Sequence, residues 1–111
     1  MSDIAIPDDM QYNRDMFKIS IERAITDRCW YLSDDPLDHL KHYSYSFYAL
    51  SQDARRIKSD MEQIVKTILE DPYYTSKLNI TYHISSASAS LKPWLPSNTQ
   101  DVKISFVFEK T

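Results

Sequence analysis

Residues 40–68 read LKHYSYSFYALSQDARRIKSDMEQIVKTI, and the fold class we expect follows from this stretch. Its apolar side chains recur at alternating spacings of three and four residues, which places them on one stripe of a helix. The stripe consists of Leu40, Tyr43, Phe47, Leu50, Ala54, Ile57, Met61, Ile64 and Ile68. Since no glycine or proline interrupts residues 37–71, the pattern predicts one long helix over residues 36–71.

A second helix is predicted before this one. Pro7 followed by Asp8 and Asp9 is typical of a helix start, because proline suits the first turn and carboxylates favour its exposed N–H groups. Residues 1–8 then form a loose arm and residues 9–32 a helix. An alternative stays open for residues 16–22, where apolar and polar residues alternate as they do in a strand. A short connection would make the two helices antiparallel neighbours.

After Pro72 the hydrophobic period changes from helical to two. Residues 78–84 and 102–108 both alternate apolar with polar side chains, which predicts a β-hairpin over residues 78–109 with a long loop at 86–101. An isolated two-stranded sheet is marginal, so we expect it to pack on the helices or on a partner chain. The predicted fold is α+β, in one domain of residues 1–111: an antiparallel helical hairpin with one long heptad-patterned helix, followed by a C-terminal antiparallel β-hairpin.

Composition excludes several classes of protein. The chain has 111 residues with a formal net charge of −3, which argues against general nucleic-acid binding. No apolar run reaches the roughly 20 residues that a membrane-spanning helix needs. A basic region followed by an apolar one is missing from the N-terminal residues, so we expect no secretory signal. One cysteine, Cys29, rules out a disulfide within the chain and fits a reducing compartment such as the cytoplasm.

Signals for catalysis are weak. The chain contains no glycine, which removes the phosphate-binding loops that depend on glycine. Histidines three residues apart on a helix near two aspartates could bind a metal, and the candidate ligands are Asp35, Asp38, His39 and His42. The simpler interpretation is an exposed helical pair of Asp38 and His42. Cys29 and His83 would form a nucleophile and base only if the fold brought them together. We therefore expect no catalytic residues, no metal and no cofactor.

Two features are more typical of recognition. Tyr45 and Tyr48 lie outside the heptad stripe, and tyrosines suit contact patches because they combine a large apolar area with a polar tip. Trp94 and Leu95 lie between Pro93 and Pro96, where restricted backbone would present an anchor at low entropic cost. The alternative for both features is that these aromatic and apolar side chains pack over the hydrophobic core. On this basis we predict partner binding by Tyr45, Tyr48, Trp94 and Leu95.

The function expected from the sequence is non-enzymatic. We expect a small cytosolic accessory protein that binds another protein and inhibits, adapts or scaffolds it. The heptad stripe and the open strand edges favour a homo-oligomer. The alternative is a structural assembly subunit of a larger particle, and a metal-dependent or cysteine-based enzyme is the third hypothesis.

Overall fold

The computed structural model describes residues 5–34, 40–76, 78–89 and 91–110. A single 3-10 turn, Asp8–Met10, precedes the first helix. The elements then follow in the order α1 (Arg14–Asp34), β1 (Leu40–Leu50), α2 (Ser51–Leu69), α3 (Pro72–Thr75), β2 (Leu78–Ser88) and β3 (Thr99–Lys110). None of these described helices is both long and apolar enough to cross a bilayer.

The three strands form one antiparallel sheet in the order β1-β3-β2. The last strand is therefore the central one, with Phe106 opposite Tyr43 on β1 and opposite Tyr82 on β2. Helices α1 and α2 pack on each other and on the face of the sheet that carries these aromatic residues. We call this the inner face, and the opposite side the outer face.

The main core lies between the inner face and the two long helices. Helix α1 contributes residues spaced four apart, and α2 and β3 contribute one stripe each. The buried members are Phe17, Ile21, Ile25 and Cys29 on α1, Ala54, Ile57, Met61, Ile64, Val65 and Ile68 on α2, and Val102, Ile104, Phe106 and Phe108 on β3. The α+β class is thus confirmed, and β2 and β3 form the antiparallel pair at its C-terminal end.

The prediction of one helix over residues 36–71 is wrong for residues 40–50, which form strand β1. In residues 42–47 histidine or serine alternates with tyrosine or phenylalanine, and that period of two is a strand pattern. Aromatic side chains also favour strands. The heptad interpretation accommodated Tyr43 and Phe47 but left out Tyr45, which shares the inner face with both. Because β1 separates α1 from α2 in the sequence, the predicted helical hairpin is also wrong.

The predicted stripe therefore divides at residue 50. Its α2 members, from Ala54 to Ile68, are buried against the sheet within one chain. Phe47 and Tyr43 lie on the inner face of β1, whereas Leu40 is exposed and Leu50 packs on the outer face. Since the chain itself covers most of the stripe, the stripe gives no reason to expect an oligomer.

The first helix begins later than residue 9. Asn13 caps α1, because its Oδ1 accepts a hydrogen bond of 3.1 Å from the backbone N–H of Met16. Residues 16–22 are helical, so the strand alternative for them is wrong. Residues 35–39, where the predicted turn ends and the long helix was expected to begin, lie outside the described residues.

Candidate functional site

A second, smaller apolar cluster lies on the outer face, at the end of the sheet where β1 ends and β3 begins. Its buried members are Ile6, Ala89 and Leu95, and the partly buried Met10, Tyr48 and Leu50 pack against them. Three segments distant in the sequence meet here: the N-terminal residues, β1 and the loop of residues 89–98. We call this group of six residues the outer cluster. It holds the loop against the sheet.

Trp94 is the largest exposed apolar side chain on that loop. It is 45% exposed, whereas its neighbour Leu95 is only 4% exposed in the outer cluster. The Trp94 ring makes an edge contact with Tyr48, with ring centroids 5.8 Å apart. Leu91 on the same loop is 93% exposed. We call Leu91, Trp94 and Tyr48 the Trp94 surface.

Backbone hydrogen bonds fix the loop that carries this surface. The N–H of Lys92 donates to the carbonyl of Ala89 at 3.0 Å, and the N–H of Leu95 donates to the carbonyl of Lys92 at 3.1 Å. The N–H of Ala89 donates across the base of the loop to the carbonyl of Thr99 at 3.0 Å. Trp94 is therefore presented by an ordered turn, and the entropic cost of fixing it on binding is reduced.

A groove of about 1060 Å³ runs beside the Trp94 surface. The N-terminal segment forms one wall and the first three turns of α2 form the other, with the end of β1 at its base. Tyr48 and Pro96 line the groove as well, which makes it continuous with the Trp94 surface. Its charged lining residues are Arg14, Asp53, Arg56 and Asp60. Two positive and two negative charges leave the groove with no formal net charge.

One hydrogen-bonded group joins the two walls of this groove. The Tyr12 hydroxyl donates to Asp60 Oδ2 at 2.5 Å, and Arg14 Nε lies 3.4 Å from Asp60 Oδ1. The Tyr12 ring stacks on Phe47 with centroids 5.1 Å apart. Burial and then the hydrogen bond to the Asp60 carboxylate raise the pKa of Tyr12 well above its ordinary value. The arrangement fixes the N-terminal segment to α2.

We expect Tyr12→Phe to lower the free energy of unfolding by about 1.5–3 kcal/mol, because a hydrogen bond to a charged acceptor is lost. The Phe47 stacking stays intact in this variant. Tyr74→Phe is the matched control, since the Tyr74 hydroxyl contacts the neutral hydroxyl of Thr26 at an exposed position. Urea unfolding of both variants measures the difference. Equal losses in the two variants would contradict a special role for Asp60.

The same substitution should change the response to alkaline pH. The folded chain holds the Tyr12 proton more tightly than the unfolded chain, so the stabilisation is complete below the ordinary tyrosine pKa of about 10. Above that pH the unfolded state releases the proton first, and the free energy of unfolding falls. In Tyr12→Phe the fall above about pH 10 should be shallower than in the original chain.

The sequence-predicted contact residues lie in two different places. Tyr48, Trp94 and Leu95 come together at the outer cluster, with Leu95 buried inside it. Tyr45 lies on the inner face, where its ring is 5.9 Å from Phe17. The contact of Tyr12 with Asp60 in the groove was not predicted from the sequence, because 48 positions separate the two residues and no local pattern indicates such a contact.

The candidate catalytic groups are not brought together. Cys29 is buried in the main core, whereas His83 is exposed on the outer face, so the sheet separates them. His42 is exposed on strand β1 and not on a helix, and the other three candidate ligands, Asp35, Asp38 and His39, lie outside the described residues. Within the part of the chain that the structure describes, no group of three histidine, cysteine or carboxylate residues could hold a metal ion.

Comparison with known proteins found no match among protein-family models, curated proteins or solved structures. The function must therefore be argued from the Trp94 surface, the groove and the sheet themselves.

Proposed function

We propose that this chain is a small non-enzymatic accessory protein of the cytoplasm that binds another protein and inhibits, adapts or scaffolds it. The binding site is the Trp94 surface together with the adjoining groove. The cytoplasmic location rests on the single cysteine, which fits a reducing compartment. A homo-oligomer is part of the proposal, and the edge of β2, open within the described residues, supports it.

The main support for this proposal is that Trp94 is both exposed and held in a fixed position by the fold. An exposed tryptophan normally contributes little to the stability of the fold. This one is nevertheless held on an ordered turn, because its ring contacts Tyr48 and its neighbour Leu95 is buried. Tryptophan and tyrosine dominate the binding energy of protein interfaces, where a few preorganised aromatic side chains carry most of the affinity. Leu91, exposed on the same loop, extends the apolar area that a partner would cover.

The groove supports one kind of occupant, an extended segment of the target protein. Such a segment would place an apolar side chain against Trp94 and continue past Tyr48 and Pro96 into the groove. The groove's balanced charges favour a segment without a strong net charge, with polar groups that reach Arg56 or Asp53. A highly acidic or basic ligand, such as nucleic acid, would meet no net charge of opposite sign in the groove.

Site-specific photocrosslinking in the cells that make this protein tests the proposal. A photoreactive amino acid at Leu91 should give one discrete crosslinked adduct with a target protein. The same residue at Ile19 is the matched control, because Ile19 is also an exposed apolar side chain, 58% accessible, but lies on α1. Adducts of equal yield and pattern from both positions would indicate nonspecific contact and contradict the proposal.

For the target so identified, Trp94→Ala should weaken binding by about 2 kcal/mol, or about thirtyfold in Kd. The melting temperature should change little, because Trp94 is about half exposed. Ile19→Ala should leave both quantities unchanged. Lost stability with unchanged intrinsic affinity would show that Trp94 serves the fold and would rule out the contact role.

A further inference from the structure

We infer that two copies of this chain pair along β2, in antiparallel orientation, to form one continuous six-stranded sheet. This inference rests on the homo-oligomer in the proposed function and names its interface. It makes no use of the Trp94 surface, so each can fail without the other.

The two edges of the sheet are not equivalent. On β1 the carbonyl oxygen of His42 accepts a hydrogen bond of 3.3 Å from Arg28 Nε, and the Arg28 guanidinium lies 4.5 Å from the centre of the Tyr43 ring. Farther along β1, Tyr48 forms a parallel bridge with Gln11 of the N-terminal segment. Helix α1 and the N-terminal segment thus cover part of the β1 edge. Within the described residues, β2 pairs with a strand on one side only, where it meets β3.

The composition of β2 lacks the usual protection of an edge. Sheet edges are generally guarded against pairing by lysine and other charged residues, by proline, by bulges or by short length. Strand β2 is eleven residues long, twice the usual strand length of about 5–6. Its sequence, LNITYHISSAS, contains no proline and no Lys, Arg, Asp or Glu. A strand with these properties favours pairing with another strand.

The side chains of β2 suit a second copy of the same strand. A two-fold axis through His83, the midpoint of Leu78–Ser88, gives the longest overlap and keeps the helices of both copies on the same side of the sheet. Tyr82 then lies opposite Ile84 of the second copy, and both are only half-buried in one chain. On the outer face Thr81 lies opposite Ser85 of the second copy, a hydroxyl pair of the kind that stabilises antiparallel neighbours.

Charge also favours the second copy over a different protein. Self-pairing brings no like charges together, because β2 carries no formal charge with histidine neutral. A basic strand from another protein would find no acidic residue on β2 and would lose hydration without compensation. An acidic strand would find Lys58 of α2 already donating a hydrogen bond of 3.3 Å to Ser86 Oγ on β2. Burial of the half-exposed Ile80, Tyr82 and Ile84 on the inner face would provide the apolar part of the interface.

Charge variants at His83 test this pairing by light scattering with the full chain. The original chain should have twice the 13.1 kDa mass of one copy at tens of micromolar. His83→Lys and His83→Glu alone should each weaken the dimer by more than about tenfold, because like charges meet at the two-fold axis. An equimolar mixture of the two variants should restore it. Ser44→Lys is the matched control: Ser44 and His83 both lie opposite Ser105, on opposite edges of the sheet, and both are exposed.

A second pair of variants tests the register. Thr81→Lys combined with Ser85→Glu should still dimerise, because each lysine would face a glutamate of the second copy, whereas Thr81→Lys combined with Ser85→Lys should not. A monomeric original chain would overturn the inference, as would a dimer unaffected by the His83 variants or dissociated equally by Ser44→Lys. A monomer that still gives the Leu91 adduct would refute the dimer and leave target binding in place. A β2 dimer without that adduct would refute target binding alone.

Discussion

Replacing Ile64 by aspartate is expected to abolish cooperative unfolding, because the chain should no longer fold. Ile64 lies on α2 and is 5% exposed in the main core. A carboxylate at this position would be buried without an ion-pair partner, and such burial costs several kcal/mol in addition to the lost apolar contacts. Small domains have total stabilities of only about 5–15 kcal/mol. The expected loss is therefore comparable with the whole free energy of unfolding.

Thermal unfolding followed by circular dichroism checks this expectation. Gln63→Asp is the matched control, since Gln63 is the preceding residue on the same helix and is exposed. It introduces the same carboxylate at nearly the same place in the sequence, and its melting temperature should stay within a few degrees of the original. A sharp native transition in Ile64→Asp would mean that this face of α2 is open to solvent.

Segments with one dominant period were predictable from the sequence. From Ala54 to Ile68 the apolar residues fit a helix, and the polar residues between them prevent a strand alternation. From Val102 to Phe108 strand β3 alternates cleanly, because its inner-face residues are buried and the residues between them are exposed or partly buried. In these segments local pattern and tertiary environment agree, so the pattern alone was sufficient.

In strand β1 a helical pattern and a strand pattern compete, so the local sequence does not select between them. Tyr43 and Phe47 are four residues apart, and that spacing fits both one face of a helix and one face of a strand. The strand is stabilised by pairing with β3, in which Phe47 lies opposite Val102. That partner is 55 residues later in the sequence, so the energy that selects the strand comes from a contact that no local window contains.

The candidate site likewise has one part that stands out in the sequence and one part that only the fold reveals. The exposure of Trp94 agrees with the sequence prediction, because a large aromatic residue between two prolines stands out without knowledge of the fold, whereas its contact with a partner stays a prediction. The structure shows how the Trp94 side chain is held. The neighbouring Leu95 is buried, and the rings of Trp94 and Tyr48 make an edge contact. The groove was not predictable, because its walls come from the N-terminal segment and α2, and the contact of Tyr12 with Asp60 that helps to join them spans 48 positions.

The helical state of residues 16–22 leads to the last prediction, a contrast between Phe17 and Ile19. On a strand these two residues would share a face with Ile21, and truncating any of them would have a similar cost. On helix α1 Phe17 and Ile21 are fully buried, four residues apart, whereas Ile19 is 58% exposed. The Phe17 ring makes edge contacts with the rings of Tyr12, Tyr45 and Phe47, so it joins α1 to the N-terminal segment and to β1.

Phe17→Ala should therefore lower the free energy of unfolding by about 3–5 kcal/mol, through lost burial and the cavity that remains. Ile21→Ala should lower it by about 2–5 kcal/mol for the same reason. Ile19→Ala, on the same helix between them, should change it by no more than about 0.5 kcal/mol. Urea unfolding of the three variants at constant slope measures the contrast. A loss in Ile19→Ala as large as that in Ile21→Ala would contradict the helical face, because only an alternating strand buries both side chains together.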